Sequence, residues 1–302
     1  MLEADLDSTS DAITYLDRET GTVREETIYG RAALEYGYGT TLGRLAMSLM
    51  PHGLLSHLYG FLNRLPSSKS RIPAFVSELG IDANEAALPL QEYRSLNEFF
   101  CRRLKSEARP IDDSPGRLLS PADGRILVFQ DLAAQSVEIK GCELRLEELI
   151  LDSHTAKTYE HGSLIVVRLA PCDYHRFHFP DTGLASESRL VKGRLHSVHP
   201  IALAARAPAF RNKRAISFLD SEAFGRIALV EVGAFAVGTI VQTYAPGPVA
   251  RGQEKGYFRF GGSTIVMLVE PGRMVMDEDL LDASGRGIET FVKMGTSLGG
   301  LA

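Results

Sequence analysis

The chain is 302 residues long, and with 44% hydrophobic and 24% charged residues it has the composition of a globular protein with a large apolar core. Its 33 basic and 38 acidic residues give a net charge of −5, which provides no electrostatic support for binding nucleic acid. Its three cysteines, Cys101, Cys142 and Cys172, are odd in number and widely spaced, so they indicate a reducing compartment rather than a disulfide framework.

The start of the chain shows no pattern of a sorting signal. Residues 1–5 are acidic, and the basic and apolar regions of a signal peptide are missing, so none is predicted. No uncharged apolar run reaches about 18 residues, so the sequence predicts no transmembrane helix. Residues 10–30 are polar, with a predicted turn at residues 18–21.

Residues 42–65 have the periodicity of two short amphipathic helices separated by Pro51. Basic residues flank or interrupt them, namely Arg44, Arg64, Lys69 and Arg71. One interpretation places the helices in a membrane interface, with the basic side chains at the lipid head groups. The other is a helical hairpin packed on the protein core, and the pattern itself does not decide between them.

Two more helices are predicted before residue 110. Residues 72–79 have a helical pattern, with Gly80 as the C-cap residue. Ser95 and Glu98 match a capping box, which opens a helix through Phe99, Phe100 and Leu104.

After about residue 115 the sequence changes to short β-rich runs separated by turn residues. These runs are residues 125–129, 136–139, 163–169, 214–219, 226–232, 237–243, 257–260 and 264–269. Helices followed by strands indicate an α+β protein, in which an N-terminal helical region precedes a β-rich, antiparallel or sandwich-like core. We expect the boundary between residues 1–110 and residues 111–302.

An unusual step joins the last two of these runs at residues 261–263. Gly261 and Gly262 permit backbone conformations that a Cβ would forbid. The hydroxyl of Ser263 then lies near the carbonyl carbon of Gly262 and can attack it once a base removes the proton. The alternative is a β-bulge or hairpin corner that carries a solvent-facing serine.

Two other polar clusters contain candidates for such a base. Asp123 lies in a turn, residues 120–124, where an Asp-Gly pair also has an ordinary structural role. His175 and His178 stand three residues apart, between prolines and among aromatic residues. One hypothesis is a nucleophile, base and orienting acid formed by Ser263, one of these histidines and Asp123, because such a triad does not depend on sequence order.

The alternative chemistry for the same region is a zinc site. Cys172, His175, His178 and His196 are residue types that bind zinc. However, no second cysteine accompanies Cys172 at a zinc-ribbon spacing, and the His-Glu-x-x-His pattern is missing. The sequence therefore favours a site without metal.

Taken together, these motifs resemble the pyruvoyl-dependent phosphatidylserine decarboxylase family, in family order from residue 99 to residue 268. They are Phe-Phe-Cys-Arg-Arg-Leu-Lys at 99–105 with Arg109-Pro110, Ser-Pro-Ala-Asp-Gly at 120–124, Tyr-His-Arg-Phe-His-Phe-Pro at 174–180 with Gly183, His-Ser-Val at 196–198, Arg211-Asn212, Val-Gly-Ala at 232–234 with Val237-Gly238, Gly-Gln-Glu-Lys-Gly at 252–256 and Gly-Gly-Ser-Thr-Ile at 261–265. The first hundred residues match only loosely, through residues 15–21 and Tyr29-Gly30. Many members have leucine where this chain has Gly261, a departure that leaves the Gly262-Ser263 pair intact.

The resemblance implies a precursor that cuts itself. His178, oriented by Asp123, would take the proton of Ser263, whose Oγ would attack the Gly262 carbonyl to form an ester. β-Elimination would then yield chains 1–262 and 263–302, and hydrolysis would leave a pyruvoyl group on residue 263. That group would form a Schiff base with the substrate amine and act as the electron sink when CO₂ leaves. His175 would lie near the step that returns a proton, and no metal or diffusible cofactor would be required.

The implied substrate is phosphatidylserine in the bilayer, and the product is phosphatidylethanolamine. A lipid substrate favours residues 42–65 as an interfacial anchor, and therefore peripheral association with the cytoplasmic face of the bacterial cell membrane. The resemblance also allows a homodimer of the processed chains. Two other functions remain open at this point: a pyruvoyl-dependent decarboxylase of a soluble amino acid, and a non-catalytic β-rich binding module in which Ser263 is inert.

Overall fold

The computed structural model describes residues 13–30, 35–37, 40, 42–43, 58–132, 136–204, 208–234, 239–261 and 263–302. Within them the strands, in chain order, are β1 Thr14–Asp17, β2 Thr22–Glu25, β3 Arg117–Leu119, β4 Gly124–Phe129, β5 Ser136–Ile139, β6 Cys142–Arg145, β7 Ser163–Leu169, β8 Arg176–His178, β9 Gly183–Ala185, β10 Arg189–Val191, β11 Arg214–Ser221, β12 Gly225–Gly233, β13 Ile240–Gln242, β14 Gly247–Val249, β15 Glu254–Phe258, β16 Ser263–Val269, β17 Met274–Met276, β18 Glu289–Val292 and β19 Ser297–Leu301. The helices are α1 Ile72–Leu79, α2 Leu96–Phe100, α3 Leu146–Ile150, α4 Ser153–Lys157, α5 Pro200–Ala204 and α6 Glu278–Gly285, and residues 58–62 are also helical. The predicted α+β class with a mostly β core is confirmed.

One large sheet organises the molecule. Its strand order is β14-β9-β11-β12-β16-β7-β4-β18-β1-β2, and β10 also pairs with β11. Neighbouring strands are antiparallel, apart from the parallel pair β1–β18. Two three-stranded sheets, β13-β15-β8 and β17-β19-β3, and the hairpin β5-β6 complete the β structure of the described residues.

The central strands are buried on both faces, because side chains alternate along a strand and both faces of this sheet are covered. In β16, Ile265 and Met267 join a core shared with the two small sheets and α6. Val266 and Leu268, between them, join a second core that includes residues of α3 and α5. A near-continuous apolar run such as residues 264–269 is therefore the pattern of a central strand that is buried on both faces of the sheet.

A third apolar cluster joins the N-terminal helices to the end of β15. It contains Phe75 of α1, Phe99 and Phe100 of α2, and Phe260, which follows β15. Phe260 lies 4.7 Å from Phe100 and 5.7 Å from Tyr59 between ring centroids. The helices before residue 110 are thus packed directly against the chain segment that leads to Ser263.

The cap residues predicted for these helices are confirmed, but α2 ends at Phe100 and does not continue to Leu104 as predicted. Gly80 ends α1 with φ 61°, and the Ser95 side chain accepts a hydrogen bond from the Glu98 N–H at 3.2 Å. The reciprocal bond of the capping box differs, because Glu98 Oε2 accepts from the N–H of Arg94 rather than from that of Ser95.

The strands 136–139 and 163–169 are confirmed at both ends, and most of the others within one or two residues. The run predicted at 257–260 is displaced, because the strand begins at Glu254 and ends at Phe258. Gly256 lies inside this strand, although glycine usually weakens a strand. Only glycine fits at this position, because a Cβ would lie 2.2 Å from the Val241 carbonyl oxygen. Residues 237–238 of the run predicted at 237–243 lie outside the described residues.

The polar residues 10–30 contain an element that the sequence analysis did not predict. β1 and β2 form a hairpin that extends the large sheet through the pairing of β1 with β18.

Residues 44–57 of the predicted interfacial helices lie outside the described residues. The boundary at residue 110 stays a prediction. In the part of the chain that is described, no helix is long and apolar enough to cross a membrane.

Candidate active site

Ser263 begins β16 at the end of the large sheet where several loops meet. It pairs with Gly233 of β12 on one side and with Leu169 of β7 on the other. Its side chain is 0% exposed, and its Oγ has no hydrogen-bond partner. Leaving a buried hydroxyl unpaired costs about 1–3 kcal/mol, so such a group calls for a functional explanation. The solvent-facing serine of the alternative interpretation is wrong.

The glycine before the reacting pair has a conformation that few other residues adopt. Gly261 has φ 135°, which is strained for any residue with a Cβ. Glycine at position 261 therefore suits the backbone of this chain. Gly262 itself lies outside the described residues.

His175 lies beside the segment that leads to Ser263. Its ring is fully buried, 3.9 Å from the ring of Phe100, and its carbonyl accepts the N–H of Phe258. Its Nδ1 is 3.0 Å from the carbonyl oxygen of Asp173. Because a carbonyl can only accept, Nδ1 carries the proton, and the unpartnered Nε2 is left with a free lone pair.

A buried ion pair holds the turn that orients His175. Asp173 Oδ2 accepts the N–H of Ala170 at 2.6 Å and also pairs with Arg125 Nη1. Arg125 lies over the ring of Tyr15, 4.6 Å from its centroid, so β1 contributes to this support. The side chains of Arg125 and Asp173 are both 3% exposed. This buried ion pair therefore fixes the turn between β7 and β8, and with it the position of the His175 ring.

His178 occupies a different environment, at the end of β8. Its ring stacks on Tyr174, its backbone N–H donates to the Pro121 carbonyl, and its Nδ1 has no partner. The alternation of side chains in β8 sends Phe177 into the main core and His178 to the other side. The two histidines therefore do not share a face.

Both imidazoles are neutral at pH 7. Burial lowers the pKa of His175 to about 3, against smaller opposing effects of the Asp173 and Gly261 carbonyls. Burial also lowers the pKa of His178 to about 4, while the nearby carboxylates of Glu254 and Asp123 raise it. A neutral histidine has a lone pair available, so either residue can accept the proton of a hydroxyl.

Asp123 is fixed by Arg109 rather than by a hydrogen bond to His178. Arg109 Nη2 donates to Asp123 Oδ2 at 2.6 Å, and the Met294 N–H donates to Oδ1 at 2.8 Å. Arg109 also binds Glu85 through two bonds of 3.0 Å. Asp123 precedes β4, and β7 lies between β4 and β16, so its backbone is two strand spacings, roughly 10 Å, from that of Ser263.

Replacing Arg109 by methionine is expected to destabilise the fold, because the Asp123 carboxylate, 2% exposed, loses its cation. Breaking a buried pair by removing one partner costs about 3–5 kcal/mol. Urea unfolding of the uncut Ser263→Ala chain measures this loss. Glu85→Gln is the matched control, since Glu85 is 30% exposed and its loss leaves the Arg109–Asp123 pair intact. An equal decrease in the free energy of unfolding in both variants would show that the buried Arg109–Asp123 pair is not the source of the stabilisation.

The zinc alternative finds no support in the positions of its residues. No group of three or more histidine, cysteine or acidic side chains that could hold a metal ion is found in the described part of the chain. The Cys172 thiol lies 3.4 Å from Asp173 Oδ1, and burial raises its pKa to about 12. His196 binds Asn212 through its backbone, with its N–H donating to Oδ1 and its carbonyl accepting from Nδ2.

Asn212 is a site residue to which the sequence analysis assigned no role. It is fully buried, and its Nδ2 also donates to the carbonyl of Gly233, the residue that pairs with Ser263. Arg109 was likewise noted only as part of a motif. The signal available for both was their position in motifs that also contain the candidate catalytic residues.

The geometry places a buried serine hydroxyl without a partner at a strand end, with two neutral histidines and a fixed carboxylate near the same end of the sheet, an arrangement typical of enzyme sites. The model of the phosphatidylserine decarboxylase family matches residues 96–300, a range that includes all four of these residues. A phosphatidylserine decarboxylase proenzyme of Chlamydia trachomatis is 43% identical over 94% of this chain and 96% of its own length.

Two further relatives carry the same name. The proenzyme of Fusobacterium nucleatum is 41% identical over 95% of this chain and 97% of its own length. The proenzyme of Desulfitobacterium hafniense is 40% identical over 95% of this chain and 98% of its own length. The chain belongs to the phosphatidylserine decarboxylase family, a family of lyases, and the resemblance seen in the sequence is confirmed.

Proposed function

We propose that this chain is a self-processing phosphatidylserine decarboxylase, which converts phosphatidylserine to phosphatidylethanolamine and CO₂ with a pyruvoyl group made from Ser263. The observation that carries the proposal is the fully buried Ser263 Oγ without a partner, in a chain of this family. The proenzyme names of the relatives are consistent with a precursor that must be cut.

The first reaction is the cleavage of the chain by its own residues. A base takes the proton of Ser263, and Oγ attacks the Gly262 carbonyl, so that an ester replaces the peptide bond. Loss of the Cα proton of residue 263 expels the Gly262 carboxylate and leaves dehydroalanine. Water then releases ammonia and leaves the ketone. The products are a large chain, residues 1–262, and a small chain, residues 263–302.

His178 and Asp123 are assigned to this first reaction. The support is electrostatic: the carboxylates of Glu254 and, to a smaller extent, Asp123 raise the pKa of His178 against the lowering caused by burial, so both stabilise the imidazolium that forms when His178 accepts a proton. Arg109 and the Met294 N–H hold Asp123 in place. Asp123 therefore acts through its charge and position rather than through a hydrogen bond to the ring.

His175 is assigned to turnover of the substrate. Its unpartnered Nε2 has a free lone pair that can take up a proton and pass it to the substrate carbon, and its position beside Phe100 and Gly261 suits that role. The turn fixed by Asp173 and Arg125 keeps the ring in one orientation. The proton returns after CO₂ has left.

The residues present fit a pyruvoyl group at position 263. The buried space that now holds an unpaired hydroxyl accepts a ketone of similar size, and both histidines have a buried ring nitrogen without a partner. At that position the group would supply an electrophile for the substrate amine and an electron sink for decarboxylation.

The proposed substrate requires contact with a bilayer. Leu58, Phe61 and Leu62 are 52%, 52% and 47% exposed, which supports an interfacial role for the described end of residues 42–65. We propose peripheral association with the cytoplasmic face of the bacterial cell membrane, with the two processed chains remaining together. A homodimer of processed chains belongs to the same proposal.

The direct test is the release of labelled CO₂ by the purified, self-cut protein. Phosphatidylserine in vesicles is expected to be decarboxylated, whereas free serine and aromatic amino acids are not, because they provide neither phosphate nor acyl chains. Preferential release from a free amino acid would establish the soluble-substrate alternative instead. An uncut chain without activity towards any amine would indicate the binding module.

A further inference from the structure

A solvent-open cavity of about 410 Å³ lies beside the aromatic group formed by Phe100, Phe260 and His175. Its lining includes Arg176 and Arg259, which are sequence neighbours of His175 and Phe260. The cavity lining does not include the buried Ser263, and Arg259 stands four residues before Ser263 in the chain. The cavity volume is in the range of sites that bind small molecules or lipid head groups.

The cavity has an excess of positive charge. Three guanidinium groups line it, from Arg64, Arg176 and Arg259, against one carboxylate, that of Glu98. Arg176 is paired with Glu254 at 2.9 Å, and Arg64 Nε donates to the Gly60 carbonyl. Among the described residues, no carboxylate lies within ion-pair distance of the guanidinium groups of Arg64 and Arg259. Two cations are thus available to an anionic ligand.

An exposed apolar face adjoins the cavity. Residues 58–62 are helical, so Leu58, Phe61 and Leu62 lie on one face at spacings of three and four residues. Tyr59, on the other side, packs against Phe260 with 5.7 Å between the ring centroids. The apolar face therefore points to solvent, and Arg64 follows Leu62 two residues later in the chain.

We infer that this cavity binds the phosphodiester of an anionic phospholipid, whose acyl chains contact Leu58, Phe61 and Leu62. Guanidinium groups bind phosphate oxygens in pairs of parallel hydrogen bonds, which suits two arginines without acidic partners. A soluble phosphate compound would not explain the exposed apolar face beside the cavity. The inference rests on the proposed function only in placing the chain at a lipid surface, and it assigns Arg259 to lipid binding rather than to chemistry.

The test uses the uncut Ser263→Ala chain, so that lipid binding is measured independently of cleavage and decarboxylation. Co-sedimentation is compared for vesicles of phosphatidylcholine alone and of phosphatidylcholine mixed equally with phosphatidylglycerol. Arg259→Gln is expected to weaken binding to the mixed vesicles by about tenfold, with little change on phosphatidylcholine. Circular dichroism shows whether Arg259→Gln disturbs the fold. If it does, Arg64→Gln provides a second test of the cavity, because Arg64 is exposed and its replacement should leave the fold intact.

Two controls separate a built site from diffuse charge attraction. Arg286→Gln removes an exposed charge that is not part of the cavity and should change binding by less than about twofold. Arg259→Lys keeps the charge but loses the paired geometry, so it should also bind more weakly than the unaltered chain. Leu58→Ser with Leu62→Ser should weaken binding to both kinds of vesicle.

Three results would overturn the inference. Equal binding of the mixed vesicles by Arg259→Gln and Arg286→Gln would show that the cavity does not take part in lipid binding. Unaltered binding by Arg259→Lys would reduce the effect to net charge. Binding of soluble glycerophosphoglycerol as strong as that of mixed vesicles would make the ligand a soluble phosphodiester. None of these results bears on decarboxylation, whose failure would appear in the CO₂ assay alone.

Discussion

The Ser263→Ala chain is expected to remain one polypeptide of 302 residues and to release no CO₂ from phosphatidylserine. Alanine keeps the Cβ but has no oxygen to attack the Gly262 carbonyl, so neither the cut nor the pyruvoyl group can form. The fold should persist or gain stability, because the change removes a buried hydroxyl that has no hydrogen-bond partner. Intact-mass analysis after native expression measures the cut, and labelled substrate in vesicles measures activity.

Ser217→Ala is the matched control, because Ser217 is also a buried serine, 1% exposed, in a central strand of the same sheet. This variant should yield two chains and keep its activity. Cleavage between residues 262 and 263 in the Ser263→Ala chain would disprove the assignment of the nucleophile. An uncut unaltered chain would remove self-processing altogether.

The two histidines are expected to fail at different reactions when they are replaced. His178→Ala and Asp123→Asn should leave mostly uncut precursor, because Ser263 then lacks an activated base, and loss of the carboxylate of a catalytic triad lowers a rate by about 10⁴-fold. His175→Ala should still cut itself and carry a ketone on the small chain. Its CO₂ release should fall steeply, since the group assigned to proton return is missing.

Mass analysis reports the cut, and reaction of the small chain with hydroxylamine reports the ketone. His161→Ala is the control, because the His161 side chain is 61% exposed and His161 is not part of any of the site motifs. The alternative assigns self-cleavage to His175 and substrate turnover to His178. It follows from the structure because Nε2 of His175 is an unprotonated acceptor beside Gly261. An uncut His175→Ala chain, together with a cut but inactive His178→Ala chain, would establish that alternative.

The local elements that the sequence predicted well are those with strong short-range determinants. Gly80 supplies the left-handed residue that ends α1, and Ser95 supplies the acceptor that starts α2. The strand at residues 163–169 is buried along its whole length, so its apolar run is unambiguous. The hairpin β1–β2 has mostly exposed, polar residues, and its pairing partner β18 is over 260 residues away, so no local pattern reveals it.

The candidate site shows the same division. The chemical types at positions 123, 175, 178 and 263 could be read from their motifs, but their hydrogen-bond partners could not. That Asp123 binds Arg109, and that the tautomer of His175 is set by the Asp173 carbonyl, depends on loops that meet only after the sheet has formed. Likewise, the pKa values of both histidines are lowered mainly by burial, which is a property of the packed core.

The sequence by itself determined the α+β class, the family, and the residues on which the chemistry is proposed to depend, because these follow from residue type, spacing and local periodicity. Only the tertiary structure decided that Ser263 is buried and unpaired, that the two histidines occupy separate environments, and that three arginines surround one cavity. The physical reason is that burial, ion pairing and hydrogen bonding are set by residues distant in the chain. Arg64, Arg176 and Arg259 are separated by more than 80 residues at each step, and the cavity they line arises only where α2 and β15 pack together.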